Sequence, residues 1–267
     1  MDDNYRWYSA SVKNTIVAQK SSGVFTGFIF GFTGILFNLA GTGIGRDPYL
    51  VIDYTPANQA PYAPSPYSPA DRGWYNTGSP TVSWGFSDPD AGNYQGAWAV
   101  HIIDANSGSV VRDTGWQGGS ANSWAISPSL PSGSYRYRII VQDQHGAVSP
   151  YSWEPTFYID TVAPSTSSHY IEGRTRLSAT NASSGNMRLV WSYNDNYSAQ
   201  TAYRLVGSNT AWAQWNYDSG EIWNGNNFHD VPFSSLGEGL WYFSVTTRDT
   251  AGNWGSYQGD YAIYIDR

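Results

Sequence analysis

Six aspartates are the residues of this chain best suited to chemistry, and their spacing is regular. Asp88 recurs as Asp195 after 107 residues, and Asp143 recurs as Asp249 after 106. Asp90 follows Asp88 by two positions, and Asp160 stands between the two groups. Carboxylates gathered with amide and main-chain oxygens are hard ligands, and the cation they suit is Ca²⁺. The competing role is local, because an aspartate at a turn accepts hydrogen bonds from nearby N–H groups. No dense D-x-D-x-D loop occurs, which favours the turn role. A hydrolytic role is disfavoured. Asp88 and Asp90 share one short loop, whereas glycosidase carboxyls face each other about 5–10 Å apart across a cleft.

Other catalytic signals are missing. His101, His145, His169 and His229 stand singly, with no H-x-x-x-H spacing. No G-x-S-x-G is present, and Gly41-Thr42-Gly43-Ile44-Gly45 lacks the Lys-Ser/Thr of a phosphate loop. There are no cysteines, which excludes disulfides, cysteine zinc sites and thiol nucleophiles. The expectation is a non-enzymatic protein with no cofactor other than calcium.

Aromatic residues are the second signal, with 13 Trp, 21 Tyr and 10 Phe. Trp84, Trp191, Tyr137, Phe243 and Tyr203 fall at core positions. Trp74, Trp116, Trp153, Trp215, Trp223 and Trp254 fall in loops or on outer faces, as does Trp98. Exposed rings are costly unless they meet a partner. Two partners fit them: sugar rings, as on a cell-surface glycan, or another protein subunit. Packing at sheet edges is the plainer alternative.

The elements that must position these residues read as strands. Trp84 and Trp191 lie 107 apart, Asp113-Thr114-Gly115 and Asp218-Ser219-Gly220 lie 105 apart, and Tyr158-Ile159-Asp160 matches Tyr264-Ile265-Asp266. A constant offset near a hundred residues marks two tandem units of β-sandwich size. In the first, strands are expected at 81–87, 96–104, 109–114, 124–127, 134–143 and 154–159. Alternation is clear in Tyr135, Tyr137, Ile139 and Val141 against Arg136, Arg138, Ile140 and Gln142. In the second they are expected at 187–193, 202–208, 215–218, 239–248 and 260–266. The chain thus divides into a β segment over 1–57, a Pro-rich linker and first strand over 58–79, a sandwich over 80–160, a hinge over 161–164 and a sandwich over 165–267. The run from Ala60 to Pro69 carries four prolines. It is expected to be stiff and to hold the modules apart in an elongated shape.

Charged residues make up only 13% of the chain, and hydroxyl and amide side chains fill the gap. The net charge is −7, which disfavours nucleic acid as a partner. Met1 to Tyr8 lacks the basic start of a signal peptide. Val24 to Ala40 is apolar enough to raise a membrane-helix reading, with Gly23, Gly27 and Gly31 at helix-dimer spacing. Its glycines and its Phe, Ile and Thr content favour buried strands instead.

Two resemblances follow from these motifs. Ser79-Pro80-Thr81-Val82-Ser83-Trp84-Gly85-Phe86-Ser87-Asp88-Pro89-Asp90, Gln95, Arg112 to Trp116, and Tyr135 through Asp143 and Gly146 resemble bacterial fibronectin-III/Ig-like modules. The second copy is looser: it lacks Asp-Pro-Asp, and Trp241 replaces Tyr135, so no tyrosine corner is expected there. Pro48 to Thr55 resembles the last strand of DNRLRE-type jelly rolls. The implied fold is all-β: partial jelly-roll-like strands, then two tandem sandwiches. On that topology Asp88, Asp90 and Asp143 share one end of the first module, while Asp195 and Asp249 share the end of the second that meets Asp160. The layout is similar to phage minor tail and adhesion proteins. It implies a virion component that docks onto other assembly subunits through residues 1–57, as a homo- or hetero-oligomer. The alternative is a sugar-binding or spacer region of a secreted bacterial surface protein or glycoside hydrolase.

Overall fold

The computed structural model describes residues 56–173, 185–210 and 214–266, with strand backbone at 8–9, 28–29, 36–40, 49–53 and 179–180. Residues 1–58 form one compact unit and residues 59–267 another. In the first unit, β1 (Tyr8–Ser9) pairs in parallel with β2 (Phe28–Ile29). β3 (Leu36–Ala40) pairs antiparallel with β4 (Tyr49–Asp53), Leu36 lying opposite Asp53. The remainder of the strand, jelly-roll and membrane readings for this segment lies outside the described residues. Among the described residues no helix is long and apolar enough to cross a membrane.

The second unit begins with a two-sheet module. Its strands are β5 (Ser65–Ser68), β6 (Gly73–Tyr75), β7 (Thr81–Gly85), β8 (Gln95–Asp104), β9 (Val110–Asp113), β10 (Gln117–Gly118), β11 (Ser123–Ala125), β12 (Gly133–Asp143) and β13 (Thr156–Ile159). One sheet runs β11-β7-β5; the other runs β10-β8-β12-β13-β6, with β9 also on β8. Alternation decides which side faces in. Tyr135, Tyr137, Ile139 and Val141 of β12 are buried against Val82 and Trp84 of β7. The proline run is a departure from expectation. Two strands, β5 and β6, lie in the 58–79 segment, and they belong to different sheets. Proline is tolerated there because β5 is an edge strand. What reads as a spacer is the first strand of the sandwich, crossing from one sheet to the other.

The second module repeats the plan. Its strands are β14 (Ser165–Ile171), β15 (Ala179–Thr180), β16 (Asn186–Asn194), β17 (Gln200–Ser208), β18 (Tyr217–Asp218), β19 (Phe228–Pro232), β20 (Gly239–Asp249) and β21 (Gln258–Ile265). The sheets run β14-β16-β19 and β15-β21-β20-β17-β18. The sequence repeats each have a structural cause. Trp84 Nε1 donates to Gln95 Oε1 at 2.9 Å, and Gln95 Nε2 donates on to the Ala121 carbonyl. Trp191, Gln200 and the Asn226 carbonyl repeat that chain. In the Asp-Thr/Ser-Gly motif the hydroxyl stands in for a strand carbonyl. Thr114 Oγ1 accepts from Val100 N and Ser219 Oγ from Leu205 N, both at 2.9 Å. The preceding Asp caps the glycine N–H in both copies.

Tyr135 donates to the Pro131 carbonyl four residues upstream. Trp241 keeps this corner, with its indole N–H on the Gly237 carbonyl at 2.9 Å. The substitution changes the ring and retains the donor.

Candidate metal centre at the module junction

Three of the six aspartates meet where the two sandwiches join. Asp160 follows β13, Asp195 follows β16 and Asp249 ends β20. Each offers a carboxylate oxygen, and these oxygens all lie within 4.8 Å of one another. Asp160 and Asp249 are fully buried. No Lys, Arg or His among the described residues forms an ion pair with any of the three.

Each carboxylate is held by its own turn. Asp195 Oδ1 accepts from the N–H groups of Tyr197 and Ser198, at 2.7 and 3.1 Å. Asp249 Oδ1 accepts from Gly252 and Asn253, at 2.6 and 2.8 Å. Asp160 Oδ1 accepts from Val162 N, and its Oδ2 accepts from Ser198 Oγ at 2.6 Å. Asn253 Nδ2 donates to the Asp160 carbonyl and to Asp249 Oδ2, tying the modules together. After these bonds, Asp195 Oδ2 remains buried with no hydrogen-bond partner.

Such an arrangement is electrostatically incomplete. Like charges about 5 Å apart repel by roughly 3 kcal/mol per pair at an effective dielectric near 20. Burial pushes the Asp160 carboxyl above the usual carboxylate range, and the charges of Asp195 and Asp249 add to this against the hydrogen bonds from Ser198 and Val162. Either a proton or a cation relieves the repulsion. The donors that the cluster offers are three carboxylate oxygens, hard ligands that suit Ca²⁺.

The remaining aspartates do not join a cluster of this kind. Asp88 caps Asp90 N with Oδ1, and its Oδ2 is buried without a partner. Asp90 is occupied by the Gln59 main-chain N–H and side-chain amide. Asp143 caps the turn at His145 and Ala147. Of the two expected groups, Asp160, Asp195 and Asp249 form a three-carboxylate cluster at the junction, while Asp88, Asp90 and Asp143 are engaged in local hydrogen bonds in the first module. Ser198 and Asn253 are contributors that the sequence reading passed over. Asn253 lies one residue past the Asp-x-x-Gly turn that both copies share.

The 161–164 hinge is pinned. Thr161 N donates to Ser132 Oγ, Asn253 Nδ2 reaches the Val162 carbonyl, and a Cβ on Gly255 would stand 2.2 Å from the Pro164 oxygen.

Among the expected partner residues, Trp116, Trp153, Trp215 and Trp223 are 49, 57, 47 and 62% exposed. Trp74 is half-buried and stacks on Tyr158 at 4.6 Å. Trp254 is half-buried and bridges to Arg248 through its backbone. Trp98 is buried against Trp84 rather than outward, because it lies on the inward side of β8 in step with Val100 and Ile102.

No family model matches the chain, and no curated protein does. Solved structures are similar in outline. The fibronectin(III)-like modules of CbhA from Clostridium thermocellum align at 10% identity over 76% of this chain and 94% of that one, with a TM-score of 0.42. The FN1–FN3 domains of chicken CNTN1 align at 13% over 83% and 70%, with a TM-score of 0.44. An alpha-L-rhamnosidase of Streptomyces avermitilis, complexed with L-rhamnose, aligns at 13% over 74% of this chain and 24% of that one, with a TM-score of 0.35. Both modules are fibronectin-III/Ig-like sandwiches. That statement rests on strand order and pairing, and it fixes fold, not activity.

Proposed function

We propose that the chain is a non-enzymatic structural and display component of a virion, in which a calcium ion at Asp160, Asp195 and Asp249 locks the two sandwiches into one stiff unit. Docking to other assembly subunits falls to residues 1–57. The observation that carries the locking role is the three-carboxylate cluster with its unpartnered buried oxygen, contributed by both sides of the junction. When bound, the ion would supply positive charge among the three carboxylates. The chain's own residues do the rest. The turns at Tyr197–Ser198 and Gly252–Asn253 aim two carboxylates, and Ser198 and Asn253 hold Asp160 across the boundary.

Calorimetric titration with Ca²⁺ and melting with and without chelator test the locking role. Heat of binding and a chelator-sensitive melting temperature are expected. No binding at millimolar Ca²⁺ would remove it. Detection of the protein in purified particles, or its absence from them, decides the virion assignment separately.

A further inference from the structure

The outer face of the second module's larger sheet carries a second pattern. Gly207 of β17 faces inward, since a Cβ there would stand 2.5 Å from the Phe243 ring. Strand alternation therefore places Ala202, Arg204, Val206 and Ser208 on the outer side of the sheet, where Ala202, Val206 and Ser208 are buried and Arg204 reaches solvent. At one end of this row, Trp215 lines a shallow, water-sized depression with Gly207, Ser208 and Gln214, and its ring lies 4.7 Å from that of Tyr257, the two being 47 and 41% exposed. In the middle, the Arg204 guanidinium makes a two-pronged pair with Asp218, and both side chains are about 40% exposed. At the other end, Arg248, which is opposite Ala202 in register, lies over the Trp223 ring at 5.0 Å. Arg248 has no carboxylate within ion-pair distance among the described residues.

The backbone from Ala202 to Ser208 spans about 20 Å at roughly 3.3 Å per residue. Along it Trp223 and Arg248 lie level with Ala202, Tyr257 lies level with Arg204, and Trp215 lies beside Ser208, with the Arg204–Asp218 pair among the rings. A protein interface concentrates its aromatics in a centre depleted of charge. Here charge sits between the rings. A ligand matching this order offers flat C–H faces at intervals with hydroxyls between them.

We infer that this face is a binding site for a neutral polysaccharide, with Trp215/Tyr257 and Trp223 stacking on pyranose rings and Arg204, Asp218 and Arg248 bonding the hydroxyls between. The inference does not rest on the proposed junction cation, which would lie beyond Arg248 at the neighbouring Asp249.

Affinity electrophoresis of the full chain through gels containing β-glucan, xylan, galactomannan or amylopectin tests it, in chelator so that the cation does not enter. Retardation by at least one polymer is expected. Trp215→Ala and Trp223→Ala should each weaken it about tenfold or more, Trp223→Tyr should retain most of it, and Trp116→Ala in the first module should leave it unchanged. The site is overturned if no polymer retards the chain, if the Trp215→Ala/Trp223→Ala double variant, folded by circular dichroism, is still retarded, or if Trp116→Ala weakens retardation as strongly.

Discussion

At the residue scale, the aspartates show that capping a turn and binding a cation need not compete. A carboxylate has two oxygens. Asp195 spends Oδ1 on its turn and leaves Oδ2 buried and unpartnered. The turn fixes the rotamer and so the direction of the free oxygen. Asp249→Asn should therefore abolish the calcium-dependent gain in melting temperature while leaving the chelated protein folded. At a hundredfold excess over Kd that gain is about 2.7 kcal/mol, or roughly 5–10 °C for a unit of this size. Scanning calorimetry of the two proteins with and without Ca²⁺ measures it. The grouping of Asp160 with Asp195 and Asp249 was legible in the sequence through the fibronectin-III resemblance, whose topology brings the loops carrying Asp195 and Asp249 to the end of the second module that meets Asp160. What was not legible is how the first module's end is filled, with Gln59 bonded to Asp90 and Gln144 bonded to Tyr94 N and to Asn93.

At the element scale, the repeated motifs are devices for closing strands. Gln95→Ala should strand both the Trp84 indole N–H and the Ala121 carbonyl, at a cost of about 1–3 kcal/mol in denaturant unfolding. Trp241→Tyr should be tolerated better than Trp241→Phe, since only tyrosine retains a donor for the Gly237 carbonyl. The interior of β12 was readable from alternation, and β8 and β20 from their runs of apolar and aromatic residues. The opening strands were not, since proline and serine in Ser65–Ser68 mimic a linker and Ser165–Ile171 lacks apolar alternation. Gln200, 105 residues after Gln95, was a legible partner for Trp191 and supplies a further repeat position. His229 sits between the Tyr203 and Tyr217 hydroxyls, and burial holds its imidazole below the usual range. Its depressed pKa means that stability is lost as pH falls from the ordinary imidazole range toward the depressed value.

At the scale of the whole molecule, the junction makes the two sandwiches one unit. Gly255→Ala should force Pro164 away and loosen it, with proteolysis within residues 161–164 accelerated about tenfold and calcium affinity reduced. The pH response of the junction has a definite sign. Asp160 is raised in the native state, so the chelated protein holds that proton more tightly folded than unfolded. The resulting stability is full below the ordinary aspartate range and is lost as pH rises through the raised value. In chelator, the difference in melting temperature between the wild type and Asp160→Asn should shrink as pH falls through that window, and calcium affinity should fall over the same window.

The sheet-switching first strand has a mechanical consequence. In each module the second half of that strand runs parallel to the last one, β6 beside β13 and β15 beside β21. Tension applied along the chain pulls such neighbours past each other lengthwise. Their hydrogen bonds are then loaded together in shear rather than one at a time, as in an unzipping hairpin. Each sandwich is thereby built to resist extension from its ends.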